Sequence, residues 1–181
     1  STDDTTAIQS ALTSAASAGK IVFFDQGTYK VTRTLYVPPG SRIVGEAYSV
    51  IMATGSVWSS ITNPIPVIQI GRSGESGFVE WSDMIVSTSG SAPGAVLIEW
   101  NLAATSGSGM WDVHTRIGGF QGSQQQVAQC PTTAAVSAAC QVAYMSMHIT
   151  KVASGVYLEN VWLWTADHDL ESPTNTQISV Y

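Results

Sequence analysis

Apolar positions along this chain fall into two regimes. Between residues 5 and 18, Ile8, Leu12, Ala15 and Ala16 recur at a spacing that puts them on one face of a helix. Asp3 or Asp4 offers an oxygen to the unsatisfied N–H groups at the start, and Gly19 supplies a stop. The spacing therefore predicts a helix over about 4–18, and no other segment repeats the pattern. From residue 20 onward the apolar runs are short, β-branched and aromatic. They fall at 21–24, 29–31, 34–37, 42–45, 49–52, 67–70, 79–86, 95–100, 110–117, 143–149, 155–165 and 177–181, with Gly, Ser, Pro and Asn between them.

Several of these runs, such as Met84-Ile85-Val86 and Val96-Leu97-Ile98, are continuously apolar rather than alternating. That is the signature of strands covered on both faces, as in parallel sheets. The lack of a second helix excludes a doubly wound α/β fold. Asn-Gly and Asp-Gly hairpin signals are absent, which disfavours a sandwich. Two all-β readings remain, a sandwich with hairpins and a solenoid of stacked coils, and irregular Gly- and Ser-rich turns joining parallel strands favour the solenoid.

Composition narrows the function. Only 11% of the 181 residues are charged, while Ser and Thr number 23 and 18. An average soluble domain carries about a quarter charged residues, so the polar surface here is unusually neutral. Seven Lys and Arg against 13 Asp and Glu cannot build a nucleic-acid-binding stripe. No apolar run approaches the roughly 18 residues that span a bilayer. A neutral, Ser/Thr-rich, aromatic-bearing surface suits a secreted protein that handles uncharged partners such as sugars. The chain opens abruptly on Ser1-Thr2-Asp3-Asp4, consistent with removal of a signal peptide. Cys130 and Cys140 flank a Pro, Thr, Ala and Ser stretch and read as a local disulfide closing a surface loop; two free buried thiols are the alternative. His114, His148 and His168 are scattered without metal-ligand spacing, so neither a metal nor a cofactor is expected.

Asp3-Asp4-Thr5-Thr6-Ala7-Ile8-Gln9, then Gly19-Lys20-Ile21-Val22-Phe23-Phe24 and Gly27-Thr28-Tyr29, resemble the first coil of pectate-lyase-like right-handed parallel β-helices. Four later segments are more specific: Arg42-Ile43-Val44-Gly45-Glu46, Val79-Glu80-Trp81-Ser82-Asp83-Met84, Gly109-Met110-Trp111-Asp112-Val113-His114-Thr115-Arg116, and Glu159-Asn160-Val161-Trp162-Leu163-Trp164-Thr165-Ala166-Asp167-His168-Asp169. Together they resemble the second β-helix of fungal glycoside hydrolase family 55, the exo-acting β-1,3-glucanases, over essentially the whole chain. The resemblance implies two β-helices packed side by side in a secreted enzyme. It also implies inverting hydrolysis of laminarin-type glucan from its non-reducing end. The chain departs from the pattern at both ends. The strand and Gly-Asp-Gly turn that normally precede the Asp-Asp-Thr stretch are missing. The family's essential glutamates, the general acid included, would fall beyond Tyr181. On this reading the chain is all-β, one partial right-handed parallel β-helix domain over 1–181 with a short capping helix at about 4–18 and β-helix coils over about 20–181. The partners are the first β-helix and the C-terminal coils of the same protein, and no catalytic residue is assigned within these residues.

Inverting hydrolysis needs a carboxylic acid and a carboxylate base about 6.5–9.5 Å apart. Among the carboxylates, Asp3 and Asp4 read as helix caps, Asp25 as a turn residue and Glu75 as solvated. Glu80, Asp83, Glu99 and Asp112 lie in or beside strands and read as structural. Asp167-His168-Asp169 differs, because it follows the aromatic strand Val161-Trp162-Leu163-Trp164. Extended geometry would send Asp167 and Asp169 to one side and set Trp162 and Trp164 opposite Leu163. An aromatic face stacks on a sugar ring while a carboxylate accepts hydroxyl hydrogen bonds. A β-helix turn with Trp filling the core explains the same residues equally well. The resemblance implies that Trp164 and Asp167 bind the terminal glucose, with Asp167 a ligand of hydroxyls rather than a proton donor. His168 and Asp169 stand as supports or turn residues, and His114 and His148 as satisfied strand residues. No Gly-x-Ser-x-Gly elbow supports Ser-His-Asp catalysis. Two other functions fit the fold: a non-catalytic carbohydrate-binding β-helix, and a pectin-active enzyme. The wide spacing of Arg33, Arg42, Arg72 and Arg116 suits a polyanion poorly.

Overall fold

The computed structural model describes residues 2–132 and 136–181. Helix α1 (Thr5–Ala18) comes first and ends at Gly19, whose left-handed φ of 63° lets Lys20 N–H reach back to Ala15 O at 2.9 Å. Asp3, not Asp4, serves the helix start: its carboxylate accepts from Thr5 N at 3.0 Å and from Thr32 Oγ1 at 2.6 Å. Asp4 instead accepts from Lys30 N at 3.0 Å. Ile8 and Leu12 are buried and close the core at this end.

The strands then wind in coils. The first holds β1 (Ile21–Phe24), β2 (Thr28–Val31) and β3 (Leu35–Val37). The second holds β4 (Ser41–Ala53), β5 (Ile65–Ile70) and the short β6 (Ser76–Gly77). The third holds β7 (Val79–Thr88), β8 (Ala95–Trp100) and β9 (Ala103–Ala104). The fourth holds β10 (Gly109–Ile117) and β11 (Met145–Ile149), and the fifth begins with β12 (Leu158–Glu159) and β13 (Leu163–Thr165). Each strand pairs in parallel with the strand one coil away. One sheet runs β3–β5–β8–β11; the other runs β1–β4–β7–β10–β12, with β2 and β13 on the far halves of β4 and β10. This is a parallel β-helix, as the continuously apolar runs predict.

Register stacks like positions into columns. Val22, Ile43, Trp81, Met110 and Leu158 form one, and Leu35, Ile68, Ile98 and Met147 another. Their middle members are buried, and Trp58, Trp81 and Trp100 are the largest side chains fully inside. At the far end the columns run out into solvent: Leu158 and Leu163 follow Met110 and Thr115 in register, yet both are well exposed.

The predicted 42–45 and 49–52 runs are one long strand with an irregular step between Val44 and Ser49. The long strands bend where a residue turns left-handed: Tyr48 (φ 65°), Asp83 (φ 60°), Asp112 (φ 53°) and Asn160 (φ 50°). Asp and Asn tolerate this region, and the Asn160 amide donates to the Asp112 carboxylate in the coil before it. The bend splits the predicted 155–165 run into β12 and β13. The predicted strand at 177–181 is absent. Gln177 and Ile178 make single antiparallel bridges to His168 and Pro131, and Tyr181 N–H bonds Cys140 O at 3.1 Å. The segment instead folds back over the loop held by the Cys130–Cys140 disulfide (Cα–Cα 5.8 Å).

Gly45 stands where this stacking is closest, because a Cβ there would overlap the Asp83 carbonyl and the Met84 side chain. Chemical denaturation should show Gly45→Ala losing about 1–3 kcal/mol. Gly27→Ala, exposed and with open space around it, should stay within about 0.5 kcal/mol of the parent.

Candidate functional site

Beyond the bend, the outward side chains of β7 and β10 share a surface with the fifth coil. Ile85 and His114 are register partners there, and Arg116 pairs with Trp164. Tyr48 leans in from the bend of β4. With Trp162 these residues line a cavity of about 390 Å³.

Its wall is a row of rings. Tyr48 and His114 lie 5.2 Å apart between centroids, His114 and Trp162 5.4 Å, and Trp162 meets Trp164 edge-on at 6.3 Å. The Arg116 guanidinium closes the row, 4.7 Å from the Trp164 ring centre. These spacings fall within the range for favourable aromatic and cation–π contacts. Trp162 (57% exposed) and Trp164 (38%) keep open faces toward solvent. The alternation predicted for Trp162 and Trp164 thus puts both rings on one wall. Among the described residues, Arg116 Nε and Nη2 are buried without a hydrogen-bond partner, and the guanidinium stacks on the Trp164 ring. Burial lowers its pKa, and Glu171 works in the opposite direction.

The Asp-His-Asp stretch does not share one environment. The Asp167 side chain is 79% exposed, and its Oδ1 lies 2.5 Å from His168 Nδ1. That bond, first among the causes, holds its carboxyl below the ordinary 3.8. Asp167 stands three residues past Trp164, outside the cavity lining. Asp169 is buried, contrary to the extended geometry that puts the two carboxylates on one side. The chain turns here: Asp169 N–H bonds Thr176 O at 2.9 Å and Leu170 N–H bonds Gly119 O at 2.6 Å. The Asp169 carboxylate accepts from Val127 N (3.0 Å), Gln126 Nε2 (3.1 Å) and Glu171 N (3.0 Å), pinning the disulfide loop beside the site. Burial alone would raise its pKa, but these hydrogen bonds prevail and hold it low.

Other carboxylates are engaged elsewhere. Glu80 pairs with Arg42 at 2.9 Å, and Glu99 accepts from Asn101 Nδ2 at 2.8 Å with His148 Nδ1 3.5 Å away. Glu75, read from sequence as solvated, is clasped by the Tyr36 hydroxyl and Arg72 N. Sequence reasoning placed Trp164 in the site but missed Tyr48, His114 and Arg116. His114 and Arg116 share one signal, parity: they occupy alternate positions of one strand, on the face away from the buried Val113, Thr115 and Ile117.

Residues 1–109 match the family model described as rhamnogalacturonase A/epimerase, pectate lyase-like. Over 99% of its length the chain is 56% identical to a glucan 1,3-beta-glucosidase of Cochliobolus carbonum, covering 23% of that protein. It is 50% identical to a probable glucan endo-1,3-beta-glucosidase of Arthroderma benhamiae, covering 21% of it. It is also 44% identical to the non-secreted LysM effector LysM15 of Penicillium expansum, covering 13% of it. The chain therefore spans less than a quarter of the length of these curated relatives.

Asp169→Asn should loosen the 126–130 segment, seen as faster amide exchange at Gln126 and Val127 and a lower Tm. A carboxylate held below its ordinary pKa stabilises the fold at neutral pH. That contribution disappears as pH falls below about 3.9, through the folded-state value. The Asn variant should lack it at every pH.

Proposed function

Because the chain belongs to the rhamnogalacturonase A/epimerase, pectate-lyase-like family, we propose that its parallel β-helix carries part of the sugar pocket of a secreted glycoside hydrolase family 55 enzyme. The reaction is exo-acting hydrolysis of laminarin-type β-1,3-glucan from the non-reducing end with inversion. The observation that carries this reading is the ring row along the 390 Å³ cavity, in a chain half identical or more to two proteins named for β-1,3-glucan. Trp162 and Trp164 offer faces for the C–H side of a pyranose ring. Asp167 stays ionised at working pH, so it accepts hydroxyl hydrogen bonds and is unsuited to donate a proton. His168 holds that carboxylate, and Asp169 fixes the loop behind it.

Proton transfer then belongs to carboxyl groups outside these residues, in C-terminal coils that continue the columns over Leu158 and Leu163. A first β-helix packed alongside completes the cleft. Asp167 and Asp169 are both held ionised, which also suits a second reading, a carbohydrate-binding β-helix without catalysis. A pectin-active role fits less well, because Arg116 is the one basic side chain lining the cavity.

The full-length protein should release glucose from laminarin, with the α-anomer appearing first. Asp167→Ala should reduce kcat/KM roughly 10–150-fold, the worth of a hydrogen bond to a charged group. Trp164→Ala should raise KM more than it lowers kcat. Unchanged activity in Asp167→Ala removes that residue from the site, and oligosaccharide binding without glucose release selects the second reading.

A further inference from the structure

His114 holds a position in the ring row that packing alone does not explain. Trp162 N–H points at its Nδ1, 3.1 Å away. A backbone amide only donates, so Nδ1 carries the lone pair and the proton sits on Nε2. The imidazole is thus fixed in its neutral Nε2–H form, stacked between Tyr48 and Trp162. This amide lies immediately before β13, the strand that carries Trp164. His114 Nδ1 thus adds a side-chain acceptor beside the β10–β13 ladder, in which Thr115 N–H already bonds Trp162 O at 2.8 Å.

We propose that His114 is a positioning residue whose neutral imidazole docks Trp162 and holds the Trp162–Trp164 wall in its sugar-binding arrangement, and that protonation of His114 releases it. This rests on the sugar-pocket reading for its functional consequence, while the docking itself stands on the geometry. A protonated ring would turn an N–H toward the Trp162 N–H, two donors face to face. Stacking of the cation on the two rings offsets part of that cost. The titratable and charged groups facing the ring are Asp112 and Arg116 on its own strand, Asp83 on β7 and the Tyr48 phenol on β4. Residues 160–164 contribute none. Burial lowers the His114 pKa, and the two aspartates raise it by less. The neutral ring is therefore the form present at pH 7, and release comes on the acid side of the ordinary imidazole value of about 6.5.

The test uses the full-length protein and a thio-linked laminaritriose, which resists hydrolysis. Affinity is measured by calorimetry from pH 7.5 to 4.5, and near-UV circular dichroism follows the aromatic row without sugar. Wild type should lose about tenfold in affinity across that range, with a parallel change in the aromatic spectrum. His114→Ala should bind at least tenfold more weakly at pH 7.5. His114→Asn, which keeps an acceptor for Trp162 N–H but does not titrate, should restore most of that affinity and abolish both the acid loss and the spectral change. An acid limb that persists unchanged in His114→Asn overturns the proposal, as does full affinity in a folded His114→Ala. If wild type binds no sugar at any pH, the sugar-pocket reading fails instead. The spectra then decide the docking: a pH-dependent aromatic signal abolished by His114→Asn supports it, and one unaltered by that variant overturns it.

Discussion

The parallel pairing of each coil on the one before it is the constraint on which the rest depends. A strand in this arrangement finds its hydrogen bonds only in its neighbours along the axis, so side chains must repeat their orientation from coil to coil. That requirement puts Trp81 over Ile43 and under Met110, and it puts His114 over Ile85. Core and outer surface are both built by column, and the cavity is a stretch of outer columns that happens to carry rings.

Closing a coil needs sharp turns, and the bends at Tyr48, Asp83, Asp112 and Asn160 meet that need with left-handed residues, Ala47 beside Tyr48 included. The bend also creates the site. It separates one strand into two faces, brings Tyr48 out of β4 toward His114, and lets Asn160 start the short path to Trp162 and Trp164. A change at the bend therefore acts on the pocket through backbone direction, although Asp83 and Asp112 belong to the scaffold.

The site shows a division of labour among charged groups in a chain with few of them. Asp169 and His168 fix backbone and carboxylate positions, Arg116 braces a ring, and Asp167 remains solvent-facing and ionised. Asp169 is buried, whereas Asp167 faces water. A neutral polysaccharide suits that arrangement, because its hydroxyls need acceptors and its ring faces need flat apolar surface.

Sequence alone determined the helix, its Gly19 stop and the succession of short strands, and it favoured the solenoid and the Cys130–Cys140 pairing over their alternatives. Each of these is written in local chemistry: helical spacing, a turn residue, uninterrupted β-branched runs, and two cysteines a short loop apart. It also singled out the aromatic strand with Trp162 and Trp164. Tertiary structure decided what local pattern cannot carry. Asp167 and Asp169 part company because hydrogen bonds to residues 119 and 176 turn the chain between them. Residues 177–181 fold back on the disulfide loop through bonds of Ser179 N–H to Cys130 O and of Tyr181 N–H to Cys140 O. Tyr48 and Arg116 reach the same cavity because register between coils depends on loop lengths, and no periodicity reports it. His114 followed the same logic: its strand was legible, but its partner was a backbone amide one coil away.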